Sequence, residues 1–264
     1  MAKEQFLYPE SAELLKTLDE AARRSGVSRG QAFEDFLHMA VCSLSGGRME
    51  EEYLKVVKKH SEGKPGRRGC DSIAELFGKA VAAMEETRGE MKDIFGDLFQ
   101  GAITYGEAGQ FFSPPPICRL MANLTIADMP DEDKQQKKTV CDPACGSGRM
   151  LLAVAETQPH WEFVGQDVDL RCVRLTAINL ALRNLYGYVV WGNSLANEQR
   201  LVYRTGFDLR GVISEVPLRE CPPPVQQIAN QTSEQTSSSP ETPSPPQDTG
   251  DIEPLLPKKQ LVLF

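Results

Sequence analysis

The chain has 264 residues, with 29 basic against 37 acidic side chains and a formal net charge of −8. An acidic balance of this size, with a pI near 5.1, excludes a free-standing DNA binder held by a uniformly basic surface; DNA contact is left to a local patch or to a second chain. At 41% hydrophobic and 25% charged content the chain suits one modest core with attached helices, and its polar start and lack of any membrane-length apolar run point to a cytoplasmic protein without membrane contact.

Residues 1–97 read as a helical segment. Ser28 stands three residues before Gln31 with capping-box spacing, ahead of the apolar run Ala32–Val41, and Ser72 with Glu75 repeats the device before a second amphipathic run. Between them lies a glycine-rich loop around Gly63 to Gly69. It falls within the basic set Lys55, Lys58, Lys59, His60, Lys64, Arg67 and Arg68, which reads as a solvated loop more readily than as a phosphate track. His38, on an apolar helix face, reads as a packed residue. Asp93–Phe99 then leads into the pair Phe111–Phe112, followed by Ser113 and Pro114.

The passage Val140 to Gly148 is the most informative in the chain. A short apolar strand runs into Asp142, Pro143 and Ala144, then into a glycine turn at Gly146 and Gly148 that opens the apolar helix Met150–Ala155. Glycines here let backbone amides approach a ligand closely at a helix start. About 20 residues on, the strand Trp161–Asp167 ends in an acid, where a doubly wound fold holds a ribose. A helix over Arg171–Leu182 and a third strand, Tyr188–Trp191, follow, the latter running into Asn193. A fourth strand is read over Phe207–Ser214, with Glu215-Val216-Pro217-Leu218 after it. Seven scattered cysteines make no disulfide framework. Cys141 and Cys145 have no partners to complete a four-ligand set, so no metal is expected.

Asp-Pro-Ala-Cys-Gly-Ser-Gly at 142–148 resembles the S-adenosylmethionine loop of adenine-N6 DNA methyltransferases, particularly the modification subunits of type I restriction systems and their mobile-element relatives. Gly109-Gln110-Phe111-Phe112-Ser113-Pro114 is similar to the family's Gly-Gln-Phe-Phe-Thr-Pro, and Gly192-Asn193-Ser194-Leu195 to its Gly-Asp-Ser/Thr-Leu. The resemblance implies S-adenosylmethionine as cofactor, held by Phe111, Phe112, Ser113, Asp142, Pro143, Ala144, Gly146, Gly148, Asp167 and Asn193. It implies DNA as partner, reached with the help of another subunit. It fails at the Asn-Pro-Pro-Phe/Tyr tetrad that takes a flipped adenine, for which Glu215-Val216-Pro217-Leu218 stands instead. No catalytic residue is assigned, and little or no methyl transfer is expected of the chain alone. A non-catalytic replication- or restriction-associated binding protein on the same fold is the competing reading.

From Pro222 the composition turns to Pro, Ser, Thr, Gln and Glu, which reads as a disordered linker over 222–259. The terminal Gln260-Leu261-Val262-Leu263-Phe264 is apolar. It resembles the peptide by which bacterial proteins bind the sliding clamp, through Gln260, Leu261, Leu263 and Phe264; an edge strand docking back on the domain, or an apolar end without a role, is the equal alternative. The fold class is therefore α/β, a truncated Rossmann-like S-adenosylmethionine-dependent methyltransferase core of about four strands over 98–221, with an N-terminal helical segment and a disordered C-terminal tail.

Overall fold

The computed structural model describes residues 5–85, 90–104, 111–209, 211–220 and 260–262. Four helices come first: α1 (Glu10–Ser25), α2 (Arg29–Ser43), α3 (Glu50–Lys59) and α4 (Gly69–Glu85). Ser28 caps α2 as expected, its side chain accepting from the Gln31 amide at 3.1 Å. The expected cap at Ser72 is corrected. Helix α4 opens three residues earlier, where Asp71 accepts from the Arg68 amide at 2.8 Å, while Ser72 is buried and accepts from Arg24 at 3.0 Å. Three of the seven residues of the basic run are engaged in internal pairing. His60 is buried between Ser25 Oγ (2.6 Å) and Asp35 (3.1 Å), Lys59 also reaches Asp35, and Arg68 pairs with Asp71.

Helix α5 (Ile94–Phe99) spans the 97/98 position at which the sequence divides the chain, and a five-residue π turn, Gln100–Thr104, continues from it. Helices α6 (Pro115–Ala127) and α7 (Asp131–Gln135) lead into the sheet region. There β1 (Thr139–Asp142), α8 (Arg149–Ala155), β2 (Glu162–Asp167), α9 (Leu170–Leu182) and β3 (Gly187–Trp191) alternate as two βαβ units with all three strands parallel. Every residue of β1 is buried, as an interior parallel strand requires. Helix α9 packs against α2 on one side and the sheet on the other, so the helical segment and the sheet share one continuous hydrophobic core. The expected α/β, Rossmann-like core is thus present.

Beyond β3 the reading changes. The single strand expected over Phe207–Ser214 is instead the middle of an antiparallel hairpin, β4 (Leu201–Asp208) with β5 (Gly211–Val216), lying beside β3. Gly211, with φ +101°, allows the chain to reverse there. Residues 201–206 form strand because Val202, Tyr203 and Thr205 are buried against the core. Consequently Glu215-Val216-Pro217-Leu218 sits at the far edge of the sheet, remote in strand order from β1.

The opposite edge belongs to the C terminus. Strand β6 (Gln260–Val262) pairs parallel with β1, Thr139 opposite Gln260 and Cys141 opposite Val262. The sheet order is β5-β4-β3-β2-β1-β6, six strands where about four were expected. Of the two readings of the terminal peptide, these three residues adopt the docked edge strand. The expected disordered linker 222–259 lies outside the described residues, as do Leu263 and Phe264.

Candidate cofactor site

In a doubly wound sheet ligands bind outside the carboxyl ends of strands where the strand order reverses. Here that point lies at β1, between β2 on one side and β6 on the other. The loop leaving β1 is fixed by hydrogen bonds from its own amides, which are spent within the protein and do not reach for a ligand as the sequence suggested. Asp142 Oδ1 accepts from the Ala144 amide at 3.1 Å, the Cys145 amide donates to Gln166 of β2 at 2.9 Å, and the Gly148 amide donates back to Cys145 at 2.7 Å. Gly146 and Gly148 have φ of +54° and +85°. A Cβ on Gly146 would lie 2.8 Å from the Phe112 ring, and one on Gly148 3.0 Å from Thr176 Cγ2, so Gly146 resists a side chain by contact as well as by conformation and Gly148 chiefly by conformation.

Asp167, ending β2, joins this loop directly, accepting from the Gly146 amide at 2.9 Å and from the Asp169 amide at 2.9 Å. Burial raises its pKa against the opposing pull of those amides. Asp142 is buried more deeply. Burial, reinforced by the Asp167 carboxylate, pushes it up to about 6. Two buried acids beside a glycine loop form an electronegative pocket suited to hydroxyls and a cation.

Phe111, Phe112, Ser113, Asp142, Ala144 and Gly146 line one cavity of about 80 Å³, so six of the ten expected residues converge. Pro143 and Gly148 belong to the same loop, and Asp167 touches it through Gly146. Gly109 and Gln110 lie outside the described residues. Phe112 stacks on Phe99 (ring centroids 5.8 Å apart) and covers the Arg149 guanidinium at 5.4 Å, whereas Phe111 is three-quarters exposed. Asn193 lies after β3, where its Oδ1 accepts from the Leu195 and Ala196 amides at 3.0 and 3.2 Å. That oxygen is engaged in its own turn, leaving the amide nitrogen as the group available to a ligand.

Sequence reasoning missed the cluster behind the loop. Asp93, 1% exposed, accepts from the Gly96 amide (2.9 Å), Asn179 Nδ2 (2.7 Å), Arg149 Nε (2.7 Å) and Ser147 Oγ. Asn179 also donates to the Ser147 carbonyl at 2.9 Å, and Thr176 Oγ1 to the Gly146 carbonyl at 2.9 Å. Helices α5 and α9 thereby hold the glycine loop from beneath. The one available signal was Asn179, an amide inside the apolar helix α9.

Residues 90–220 match the model of the N-6 DNA Methylase family. This segment belongs to that family. The methylase domain coincides with the glycine loop, both acids and the Asp93 cluster. The chain is 28% identical to the type I restriction enzyme MjaVIII methylase subunit of Methanocaldococcus jannaschii, over 40% of this chain and 19% of the relative. Among solved structures, it is similar to the type I restriction-modification methyltransferase subunit of Streptococcus thermophilus (14% identity, 69% of this chain, 57% of that one, TM-score 0.37). Another is a Listeria monocytogenes protein described as a class I S-adenosylmethionine-dependent methyltransferase (16% identity, 67% and 51%, TM-score 0.39). The chain thus spans about a fifth of the curated relative and little more than half of each solved chain. Among the described residues no group of three or more metal-ligating side chains converges, and no helix is long and apolar enough to cross a membrane.

Proposed function

We propose that the methylase domain binds S-adenosylmethionine at the β1 loop and serves DNA adenine-N6 methylation as one part of a larger assembly, in the cytoplasm. The observation that carries this reading is Gly146. Its amide and carbonyl are held by Asp167 and Thr176 and the Phe112 ring packs where a Cβ would stand, so the loop is fixed against the cavity that it lines with Asp142 and Phe111. Asp167 supplies acceptors for ribose hydroxyls, and Asp142 supplies negative charge for the cofactor's ammonium group. Bound there, the cofactor would provide an activated methyl group.

The 264 residues contain no Asn-Pro-Pro-aromatic tetrad, and the expected replacement lies at the wrong edge of the sheet. Placement of an adenine amino group in line with the methyl donor therefore falls to residues outside these 264, on this reading. A second chain also accounts for how an acidic protein reaches DNA. Clamp binding through Gln260–Phe264 remains compatible only if β6 leaves β1, because the same backbone groups cannot serve both partners.

Equilibrium dialysis against radiolabelled S-adenosylmethionine tests the cofactor, and transfer of the label to duplex DNA tests the division of labour. Saturable binding with negligible transfer by the chain alone is the expected pair of results. No binding at millimolar ligand overturns the cofactor reading; robust transfer by the chain alone overturns the need for a partner.

A further inference from the structure

Arg149 is the one charged side chain of the glycine-loop region that the family resemblance leaves without a role. It follows Gly148 at the start of α8, and its side chain is 5% exposed. Its Nε is fixed by Asp93 at 2.7 Å. The outer edge of the guanidinium is poorly satisfied by comparison. Nη1 reaches the neutral oxygens of Gln100 (3.2 Å) and Ser113 (3.5 Å), and Nη2 has no hydrogen-bond partner among the described residues. A buried guanidinium donor without an acceptor is costly, and its preferred partner is a carboxylate that takes two parallel hydrogen bonds.

The placement of Arg149 gives it a ligand. Arg149 lines the 80 Å³ cavity together with Asp142, and it also lines the adjoining cavity of about 380 Å³, which shares Phe111 and Phe112 with the first. One cavity thus carries a buried cation and a buried carboxylate, a polarity matched to an α-amino acid zwitterion. The remaining charges agree. Asp93 already neutralises Arg149, so Asp142 is the excess negative charge of the group; a ligand's ammonium meets that charge at Asp142, while its carboxylate shares the Arg149 guanidinium with Asp93 through different donors.

We propose that Arg149 reads the α-carboxylate of the cofactor's amino-acid end and is the residue by which this site selects ligands that carry one, a role that presupposes the S-adenosylmethionine reading above. Asp93 acts as the positioning residue that holds the guanidinium in place.

The experiment compares three ligands on the full chain by displacement of labelled S-adenosylmethionine: S-adenosylhomocysteine, its decarboxylated analogue, and 5′-methylthioadenosine, which lacks the amino-acid end. Loss of a charge-assisted hydrogen-bond pair predicts that wild type prefers S-adenosylhomocysteine over the decarboxylated analogue by about 10- to 150-fold. Arg149→Lys keeps the charge against Asp93 but not the fork, so this preference falls to a few-fold while affinity for 5′-methylthioadenosine stays within about twofold of wild type. Equal binding of S-adenosylhomocysteine and its decarboxylated analogue by wild type overturns the proposal alone, whatever the variant does. Retention of the full preference in a folded Arg149→Lys chain also overturns it. Failure of wild type to bind any of the three overturns the cofactor reading as well.

Discussion

Replacing Asp93 by Asn changes one atom and leaves the shape of the buried cluster nearly intact. Asn caps a helix as well as Asp does, so Oδ1 goes on accepting from the Gly96 amide and from Asn179. The new Nδ2 then faces Arg149 Nε and Ser147 Oγ. Ser147 can reverse and accept, but the guanidinium has only donors, so a buried positive charge loses its partner. Breaking a buried pair by removing one partner costs about 3–5 kcal/mol. With both side chains at most 5% exposed, solvent screening does not reduce that figure much. For a folded part of this size each kcal/mol moves Tm by about 2–4 °C, which gives a drop on the order of 6–20 °C. Thermal unfolding followed by circular dichroism measures it. A Tm within about 2 °C of wild type would refute the cluster as the support of the glycine loop. Arg149→Met in the Asp93→Asn background should recover part of the loss, because it removes the stranded charge.

Gly146→Ala should abolish detectable S-adenosylhomocysteine binding in a calorimetric titration, since its Cβ meets the Phe112 ring at 2.8 Å, while Gly78→Ala, with nothing within 4 Å, should bind normally and melt slightly higher. Asp167→Ala should weaken cofactor binding by about 1–3 kcal/mol through lost charge-assisted hydrogen bonds, read in the same titration; unchanged affinity would remove Asp167 from the site. Asp142 has a folded pKa of about 6 against an ordinary 3.8, so between those values the native state binds more protons than the unfolded state and stability falls as pH rises. The whole fall is about 3 kcal/mol, of which urea unfolding from pH 4 to 6 should show about 2 kcal/mol, flattened in Asp142→Asn by a similar amount. Deleting residues 260–264 should lower Tm by removing β6 from β1; an unchanged Tm together with lost sliding-clamp capture would favour the clamp peptide instead.

The local features of this site were legible because each is carried by a few adjacent residues. A strand ending in Asp142, glycines that open a helix, and Asp167 one βα unit later need no tertiary information. The Asp93 cluster was not legible, since it joins positions 93, 147, 149 and 179, and neither an aspartate at a helix start nor an arginine after a glycine announces a distant partner. The hairpin was misread for a different reason. Phe207–Ser214 has the composition of one strand, and only the reversal at Gly211 and the burial of Val202, Tyr203 and Thr205 divide it into two. For Gln260–Val262, an apolar peptide of five residues has no period to distinguish a self-docked strand from a recognition peptide; pairing with β1 is a property of the folded edge.

The central claim is that the β1 loop, with Asp142, Gly146 and Asp167, is a cofactor site. Isothermal titration of the full chain with S-adenosylhomocysteine tests it most directly. The account predicts one ligand per chain, bound in wild type and lost in Gly146→Ala without a change in the circular-dichroism spectrum. Absence of heat at millimolar ligand, or equal binding by Gly146→Ala, would contradict it.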